Sequence, residues 1–293
     1  MQSVFSGAAT ALVTPFTAQG IHFAALERLV VWQIEAGIDA LVLNGTTGEA
    51  STQTSEEKQS VVRCGVKAAA GKVPIIAGTG GNDTAKVIAD SQKAADAGAA
   101  ALLIVTPYYN KTTPAGLLAH YAAICAAVPL PVIVYNVPSR TNMNITSAIM
   151  QKLADIPGIV GIKEASGDIK QIGDTARLCA GRIAVYSGND DHVVPVLSVG
   201  GVGVITTVGN ILPREMHDLC ALWFAGDIQQ SLAVQQRVNP LVDTLFSEVN
   251  PIPVKTALRL MGHEVGPLRL PLVDMQPDKQ AAMEGEMRAQ GLL

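Results

Sequence analysis

The sequence of residues 40–78, ALVLNGTTGEASTQTSEEKQSVVRCGVKAAAGKVPIIAG, decides the fold class. Two short aliphatic runs, 40–43 and 73–78, stand at its ends and finish in polar residues or glycine, as buried strands do. The alanine- and glutamate-rich stretch 56–70 between them has helical spacing, and Thr54 supplies a capping hydroxyl just before it. A strand, a helix and a second strand in this order predict two parallel strands joined by a right-handed crossover.

The same unit recurs along most of the chain. Aliphatic runs lie at residues 8–14, 40–43, 73–78, 100–105, 132–135, 159–163, 183–187 and 202–206, with helical stretches between them. Eight such units predict an α/β fold that closes into a TIM (β/α)8 barrel, which typically takes about 250 residues. An open Rossmann sheet is disfavoured because the first run leads into Val13-Thr14-Pro15-Phe16 instead of a G-x-G-x-x-G loop.

The pattern changes after the eighth aliphatic run. Helical stretches follow one another at residues 213–225, 228–246, 253–261 and 277–290, with no aliphatic strand pattern between them. We therefore assign residues 1–224 to the barrel and residues 225–293 to a small helical C-terminal extension. The proline-rich stretch 266–271 is expected to run along the surface.

Composition excludes several classes of protein. Hydrophobic residues make up 48% of the chain and charged residues 16%, which is typical of a large aliphatic core. The net charge is −4 with no basic stripe, so nucleic acid is not an expected partner. No apolar run approaches the roughly 18 residues of a membrane span, and residues 1–10 lack the basic start of a signal peptide. The four cysteines are far apart in sequence, and we expect reduced thiols in a cytoplasmic protein.

Unusual polar residues gather where the predicted strands end. These segments are 44–49, 106–109, 135–140, 163–167 and 203–206. Active sites of (β/α)8 barrels lie at the carboxyl ends of the strands, so the five segments are expected to converge on one mouth.

Lys163 is the most informative of these residues. It follows the aliphatic residues 159–162, so its stem is expected to start inside the barrel. Burial disfavours the ammonium form of a lysine, lowers its pKa and yields a neutral amine that attacks ketones. Taken alone, a lysine at a strand end more often extends to solvent or pairs with an acid. The polar neighbours favour the chemical role.

Three further segments have two possible interpretations each. Tyr135 ends an apolar strand, where its phenol either moves protons or serves as a core residue. Thr46-Thr47-Gly48 offers hydroxyls and backbone N–H groups for a small carboxylate, or forms a plain turn. Arg140 suits bidentate binding of a carboxylate, or lies free on the surface. Of the adjacent Tyr108 and Tyr109, one is expected at a subunit contact.

No metal or organic cofactor is expected. The five histidines show no pair at helical metal-ligand spacing. Asp190-Asp191-His192 is the only metal-like cluster in the sequence, and we interpret it as a capped helix start after the seventh strand.

Four motifs in this order resemble one family. They are Asn44-Gly45-Thr46-Thr47-Gly48-Glu49, Thr106-Pro107-Tyr108-Tyr109-Asn110, Tyr135-Asn136-Val137-Pro138-Ser139-Arg140-Thr141 and Gly161-Ile162-Lys163-Glu164-Ala165. The sequence resembles the dihydrodipicolinate synthase family, within the N-acetylneuraminate lyase superfamily of Schiff-base barrels. The resemblance runs nearly end to end and includes Asn250-Pro251-Ile252-Pro253-Val254-Lys255.

The resemblance implies a lyase that condenses pyruvate with L-aspartate 4-semialdehyde in lysine and diaminopimelate biosynthesis, without a cofactor. Lys163 would form the imine, and Tyr135, Thr46 and Tyr109 would form a proton relay. The implied substrate-binding residues are Thr47, Gly48 and Ile205 around pyruvate and Arg140 at the carboxylate of the second substrate. The relay tyrosine Tyr109 would come from a neighbouring subunit, in a homotetramer made of two tight dimers.

Alternatives remain open at this point. One is a class I aldolase for a 2-keto-3-deoxy sugar acid or N-acetylneuraminate. The resemblance does not lead us to expect the motif Pro138-Ser139-Arg140-Thr141 in such an aldolase. Another is a non-catalytic pyruvate-binding protein, which is disfavoured because every residue of the implied relay is present. A third, a phosphate-binding isomerase barrel, would have no use for a buried lysine.

The sequence departs from the family at its regulatory site. Family members inhibited by lysine bind it at the dimer interface with a histidine and a glutamate, and the matching positions here are Ser55 and Lys86. Asn82 and Tyr108 do match the family. Since Lys86 would repel the ammonium groups of lysine, we predict weak or absent inhibition by lysine.

Overall fold

Eight parallel strands close into a barrel in the computed structural model, which describes residues 3–293. The strands are β1 (Gly7–Ala11), β2 (Ala40–Leu43), β3 (Ile75–Gly78), β4 (Ala101–Val105), β5 (Val132–Asn136), β6 (Ile159–Glu164), β7 (Ala184–Ser187) and β8 (Gly203–Thr206). Each pairs with its neighbour in chain order, and β1 pairs with both β2 and β8 to close the ring. The predicted TIM barrel is therefore confirmed. Residues 1 and 2, part of the segment considered above for a signal peptide, lie outside the described residues.

Helices follow the strands and cover the barrel. They are α1 (Phe23–Glu35), α2 (Ser55–Ala69), α3 (Thr84–Asp96), α4 (Pro114–Ala127), α5 (Pro138–Thr141), α6 (Ser147–Leu153), α7 (Ile169–Leu178), α8 (Val193–Ser198), α9 (Pro213–Phe224), α10 (Ile228–Leu245), α11 (Ile252–Leu260) and α12 (Pro277–Ala289). Thr54 caps α2, and its backbone N–H donates to the side chain of Glu57 in return. This reciprocal cap confirms the predicted start of the helix.

The barrel interior holds small and aliphatic residues from every strand. Ala9, Val42, Ile76 and Ile133 are fully buried there. Near the start of β1, the rings of Phe5 and Tyr186 stack with their centroids 4.4 Å apart, and the Tyr186 hydroxyl donates to the Phe5 carbonyl oxygen. Since this pair fills the interior beside the amino end of β1, the remaining space lies at the carboxyl ends of the strands.

The C-terminal helices join the barrel through a shared apolar core. Val238 and Leu241 of α10 and Met283 of α12 are fully buried together with β1 and α1 side chains. A buried ion pair between Lys255 of α11 and Glu49 adds a polar link. Helix α9 ends at Phe224 and α10 begins at Ile228, on either side of the boundary that we predict between barrel and extension.

Two local features differ from the sequence-based expectation. Strand β1 ends at Ala11 and not at Thr14, because the Val13 N–H donates to the Asn210 side chain and Pro15 has no N–H to give. A two-stranded ribbon, Phe16–Thr17 with Gly20–Ile21, was not predicted, since two residues are too few to show alternation.

The cysteines form no disulfide among residues 3–293. All four cysteines are free, with Cys179 and Cys220 buried but Cys64 and Cys125 only half-buried. Cys179 directly follows α7 and does not lie within it. Among residues 3–293, none of the helices is long and apolar enough to cross a membrane.

Candidate active site

Lys163 and Tyr135 lie side by side at the ends of adjacent strands. They are register partners across β5 and β6, so both side chains point to the same side of the sheet, into the barrel. Lys163 is 6% exposed, and its Nζ lies 4.6 Å from the centre of the Tyr135 ring. The aliphatic residues before Lys163 predict that it lies at the inner mouth of the barrel, and the structure has it in that position.

Burial favours the neutral form of both side chains, which is the deprotonated lysine and the protonated tyrosine. It lowers the pKa of Lys163 to about 8, with the nearby Asp190 carboxylate opposing the shift and Arg140 adding to it. It raises the pKa of Tyr135 to about 12. A lysine that loses its proton near neutral pH can act as a nucleophile, while a phenol that keeps its proton can donate it.

The loop at residues 46–49 forms a tight turn beside this pair. The Gly48 N–H donates to the Gly45 carbonyl oxygen, and the Glu49 N–H donates to that of Thr46. A Cβ at position 48 would lie 3.2 Å from the Leu12 carbonyl oxygen, a tight contact that favours glycine there. The turn leaves Thr46 exposed and buries Thr47 to 3% exposure.

One cavity of about 350 Å³ opens at the carboxyl ends of the strands, within the range of small-molecule sites. Of the eight residues with a catalytic or binding role implied by the sequence, five line it: Thr46, Thr47, Tyr135, Arg140 and Lys163. Further polar residues in its walls are Asn44, Ser51, Lys58, Tyr108, Ser139, Asn189, Thr207 and Asn250. An amine, a phenol, two hydroxyls and a guanidinium converge there, a set suited to imine chemistry on a small carboxylate-bearing carbonyl compound.

The family model of the dihydrodipicolinate synthetase family matches residues 4–290. The chain belongs to this family. The predicted resemblance is thereby confirmed over almost the whole sequence.

Relatives in the family agree along the full chain. A 4-hydroxy-tetrahydrodipicolinate synthase of Clostridium perfringens strain 13 is 48% identical over 290 residues, covering 99% of this chain and all of its own. The crystal structure of the Thermotoga maritima dihydrodipicolinate synthase superimposes with a TM-score of 0.97 at 41% identity, covering 99% of this chain and 100% of that one. The Acinetobacter baumannii enzyme, solved in complex with pyruvate, has a TM-score of 0.96 at 41% identity and coverages of 98% and 99%. The predicted enzyme class, a lyase of this family, is confirmed.

Three site residues expected from the family resemblance lie outside the walls of this cavity. Ile205 is fully buried in the barrel interior, and Gly48 lies behind the turn that it shapes. Tyr109 is 92% exposed and adopts a positive φ of 69°, which is unusual for a bulky residue. Their roles, like those of the five residues in the cavity wall, stay predictions.

Sequence reasoning missed the role of Asp190. A 3-10 helix, Asp190–His192, does begin after the seventh strand, as predicted, but no side chain caps it. The buried Asp190 carboxylate instead accepts hydrogen bonds from the N–H groups of Thr207 and Val208, at 3.0 and 3.2 Å. Burial raises its pKa, and its charge acts on Lys163. Asp191 lies 3.7 Å from His192 but, among the described residues, these side chains form no group of three placed to hold a metal ion.

Two more residues shape the site without a sequence signal for that role. A side chain at Gly188 would lie 3.1 Å from the Lys163 Cε, so the glycine leaves room for the lysine. Asn250 reaches the site from the C-terminal extension and donates to the Thr47 hydroxyl at 2.9 Å. Its motif was noted in the sequence, but nothing local indicated this partner 203 residues away.

Proposed function

We propose that this chain forms 4-hydroxy-tetrahydrodipicolinate from pyruvate and L-aspartate 4-semialdehyde through an imine on Lys163. The observation that carries the proposal is the buried Lys163 amine, with a pKa of about 8, beside the Tyr135 phenol in the cavity at the barrel mouth. Membership of a family whose relatives bear this enzyme's name supports the same reaction.

The first step attaches pyruvate to the enzyme. The neutral Lys163 amine attacks the keto carbon, the keto oxygen takes up protons and leaves as water, and a C=N bond remains. Tyr135 supplies and receives protons in this step because its phenol stays protonated and lies against Lys163. Thr47 holds the pyruvate carboxylate with its hydroxyl.

The second step forms the carbon–carbon bond. The imine loses a methyl proton to give an enamine, whose carbon attacks the aldehyde of the second substrate, and the aldehyde oxygen takes up a proton. The amine of that substrate then adds to the imine carbon, closes the ring and releases Lys163. One water is lost overall, in the imine step. Arg140, exposed in the cavity wall, binds the carboxylate of the second substrate through its planar guanidinium.

The assembly that we propose is a homotetramer of two tight dimers. Tyr109 supports it, since its side chain is almost fully exposed and its backbone is held at a positive φ, an unusual conformation for a tyrosine that packs against nothing buried in residues 3–293. Projected into the neighbouring subunit, its hydroxyl would join Thr46 and Tyr135 in a proton relay.

A cytoplasmic location is supported by the four free thiols.

A condensation assay tests the function. Pyruvate is offered with L-aspartate 4-semialdehyde, or with N-acetylmannosamine, to the wild type, to Lys163→Ala and to Lys170→Ala. Lys170 is a matched control because it is exposed and pairs only with surface groups. We expect turnover of the semialdehyde alone, lost only in Lys163→Ala. Turnover of the sugar would instead indicate a sugar-acid lyase, and turnover of neither would contradict the proposal.

A further inference from the structure

Asn250 connects the C-terminal extension to the substrate loop. It lies between α10 and α11, is 6% exposed and lines the active-site cavity. Its side-chain Nδ2 donates a hydrogen bond to the Thr47 Oγ1 at 2.9 Å. Its carbonyl oxygen lies 3.5 Å from the Arg140 Nη2 and accepts a weak hydrogen bond from it. One residue thus contacts both of the side chains that we assign to substrate carboxylates.

The direction of the Asn250–Thr47 hydrogen bond matters for binding. A threonine hydroxyl carries one proton and two lone pairs, so it either donates to or accepts from each neighbour. Because the Asn250 amide donates to the Thr47 oxygen, the Thr47 proton must point elsewhere. Thr47 is 3% exposed, so few water molecules can redirect that proton. The hydroxyl is left as a donor, which is the role that a substrate carboxylate requires.

The loop itself is held independently of Asn250. Glu49 forms a buried ion pair with Lys255 at 2.7 Å, and its other oxygen accepts the Arg269 N–H at 2.9 Å. These contacts fix the backbone of residues 46–49 from the same extension. Removal of the Asn250 side chain should therefore change the orientation of the Thr47 hydroxyl without releasing the loop.

We propose that Asn250 is a positioning residue that fixes the Thr47 hydroxyl as a hydrogen-bond donor to the keto-acid carboxylate. The inference rests on the proposed function, since Thr47 contacts pyruvate only there. It gives the C-terminal extension a part in substrate binding in addition to its packing against the barrel.

Two substitutions separate this role from a structural one. Asn250→Ala removes the orienting donor, and we expect the KM for pyruvate to rise about fivefold with kcat changed less than about twofold. Asn250→Asp replaces the donor with an ionised acceptor. That carboxylate accepts the hydrogen bond of the Thr47 hydroxyl and repels the substrate carboxylate. For that variant we expect the KM for pyruvate to rise roughly fiftyfold. An effect of this size is usual when a hydrogen bond to a charged group is lost and a like charge is added.

The experiment measures KM and kcat for pyruvate, together with the fraction of enzyme that borohydride traps with pyruvate at each concentration. Thr47→Val and its combination with Asn250→Ala complete a double-mutant cycle. Asn239→Ala is the matched control, because Asn239 belongs to the same extension but accepts from Gln235. We expect Asn250→Ala to add less than about twofold once Thr47 is valine.

Three results would overturn the inference. The first is an unchanged fivefold effect of Asn250→Ala in the Thr47→Val background, and the second is an Asn250→Asp variant that binds pyruvate as well as Asn250→Ala. The third is a wild-type enzyme that traps no pyruvate, which would overturn the proposed function as well. If Asn250→Asp does not fold, the cycle with Asn250→Ala decides the matter alone.

Discussion

The barrel mouth and the junction with the C-terminal extension each bury one lysine, and the two lysines differ in their partners. Lys255 at the junction is fully buried, pairs with Glu49 at 2.7 Å and also donates to the Pro267 carbonyl oxygen. Lys163 at the mouth lies against the Tyr135 ring and forms no ion pair among residues 3–293. Burial lowers the pKa of both amines, and a carboxylate opposes the shift in each case: Glu49 is hydrogen-bonded to Lys255, whereas Asp190 acts on Lys163 without forming an ion pair with it. Burial without a directly bonded carboxylate is the environment that we propose for the nucleophile, whereas burial with one gives a structural ion pair.

Substitution of Lys163 by methionine should give the largest effect on activity. The variant keeps the apolar stem but has no amine to form an imine, so we expect kcat to fall at least about a thousandfold. Stability should be unchanged or higher, because a buried amine without an ion pair is replaced by an apolar group. The assay is steady-state condensation together with thermal unfolding. A Lys163→Met enzyme that keeps a tenth of its activity would contradict the assignment.

The same substitution at Lys255 should affect stability instead. Lys255→Met leaves Glu49 buried without its partner, and we expect a loss of about 3–5 kcal/mol in the free energy of unfolding. Denaturant titration measures this loss. Arg288→Ala, which breaks an exposed pair with Glu284, is the control and should cost less than about 1 kcal/mol. Equal stability losses for Lys255→Met and Arg288→Ala would contradict a structural role of the Lys255–Glu49 pair.

Replacement of Tyr135 by phenylalanine should remove proton transfer beside the amine. The ring that packs on Lys163 remains, so the fold and the lysine pKa are retained, but the hydroxyl is lost. We expect kcat to fall about a hundredfold, a usual cost of losing a general acid. Tyr121→Phe is a matched control, since Tyr121 is a fully buried tyrosine whose hydroxyl donates to the Ile104 carbonyl oxygen. Activity unchanged in Tyr135→Phe would exclude Tyr135 from the mechanism.

The pH dependence should follow the Lys163 amine. Only the neutral amine attacks pyruvate, and the free enzyme governs the rate at low pyruvate concentration. With a pKa of about 8, kcat/KM for pyruvate should rise about tenfold per pH unit below that value and level off above it. A profile flat from pH 6 to 8 would show that the amine is already neutral there, against the account.

The smallest effect should be inhibition by L-lysine. Ser55 donates to Asp90 at 2.6 Å, and Lys86 lines a small cavity with Asn82 and Tyr108, so a cationic amino acid meets a positive charge there. We expect less than about twofold inhibition at millimolar lysine. Lys86→Glu restores a carboxylate and is expected to increase the inhibition. Strong inhibition of the wild type at sub-millimolar lysine would contradict this prediction.

The sequence predicts the barrel well because its signals are local. Each aliphatic run falls within a few residues of an observed strand, and the polar residues after the strands converge since a closed parallel barrel brings all its carboxyl ends together. Lys163, Tyr135, Thr46, Thr47 and Arg140 could be placed at one mouth for this reason.

Contacts between distant segments could not be predicted in the same way. Asp190 bonds to backbone groups 17 and 18 residues later, and Asn250 meets Thr47 only after the extension has packed against the barrel. No periodicity or cap signal encodes such a pairing. Tyr109 is a third case, because the partner that the family resemblance implies for it would belong to another chain.

Borohydride reduction in the presence of pyruvate, followed by peptide mass spectrometry, tests the central claim most directly. We expect one reduced pyruvate per chain, located on the peptide that contains Lys163, and no label on the peptide that contains Lys255. Label on another lysine, or an unlabelled Lys163 in an enzyme that still condenses its substrates, would contradict the account.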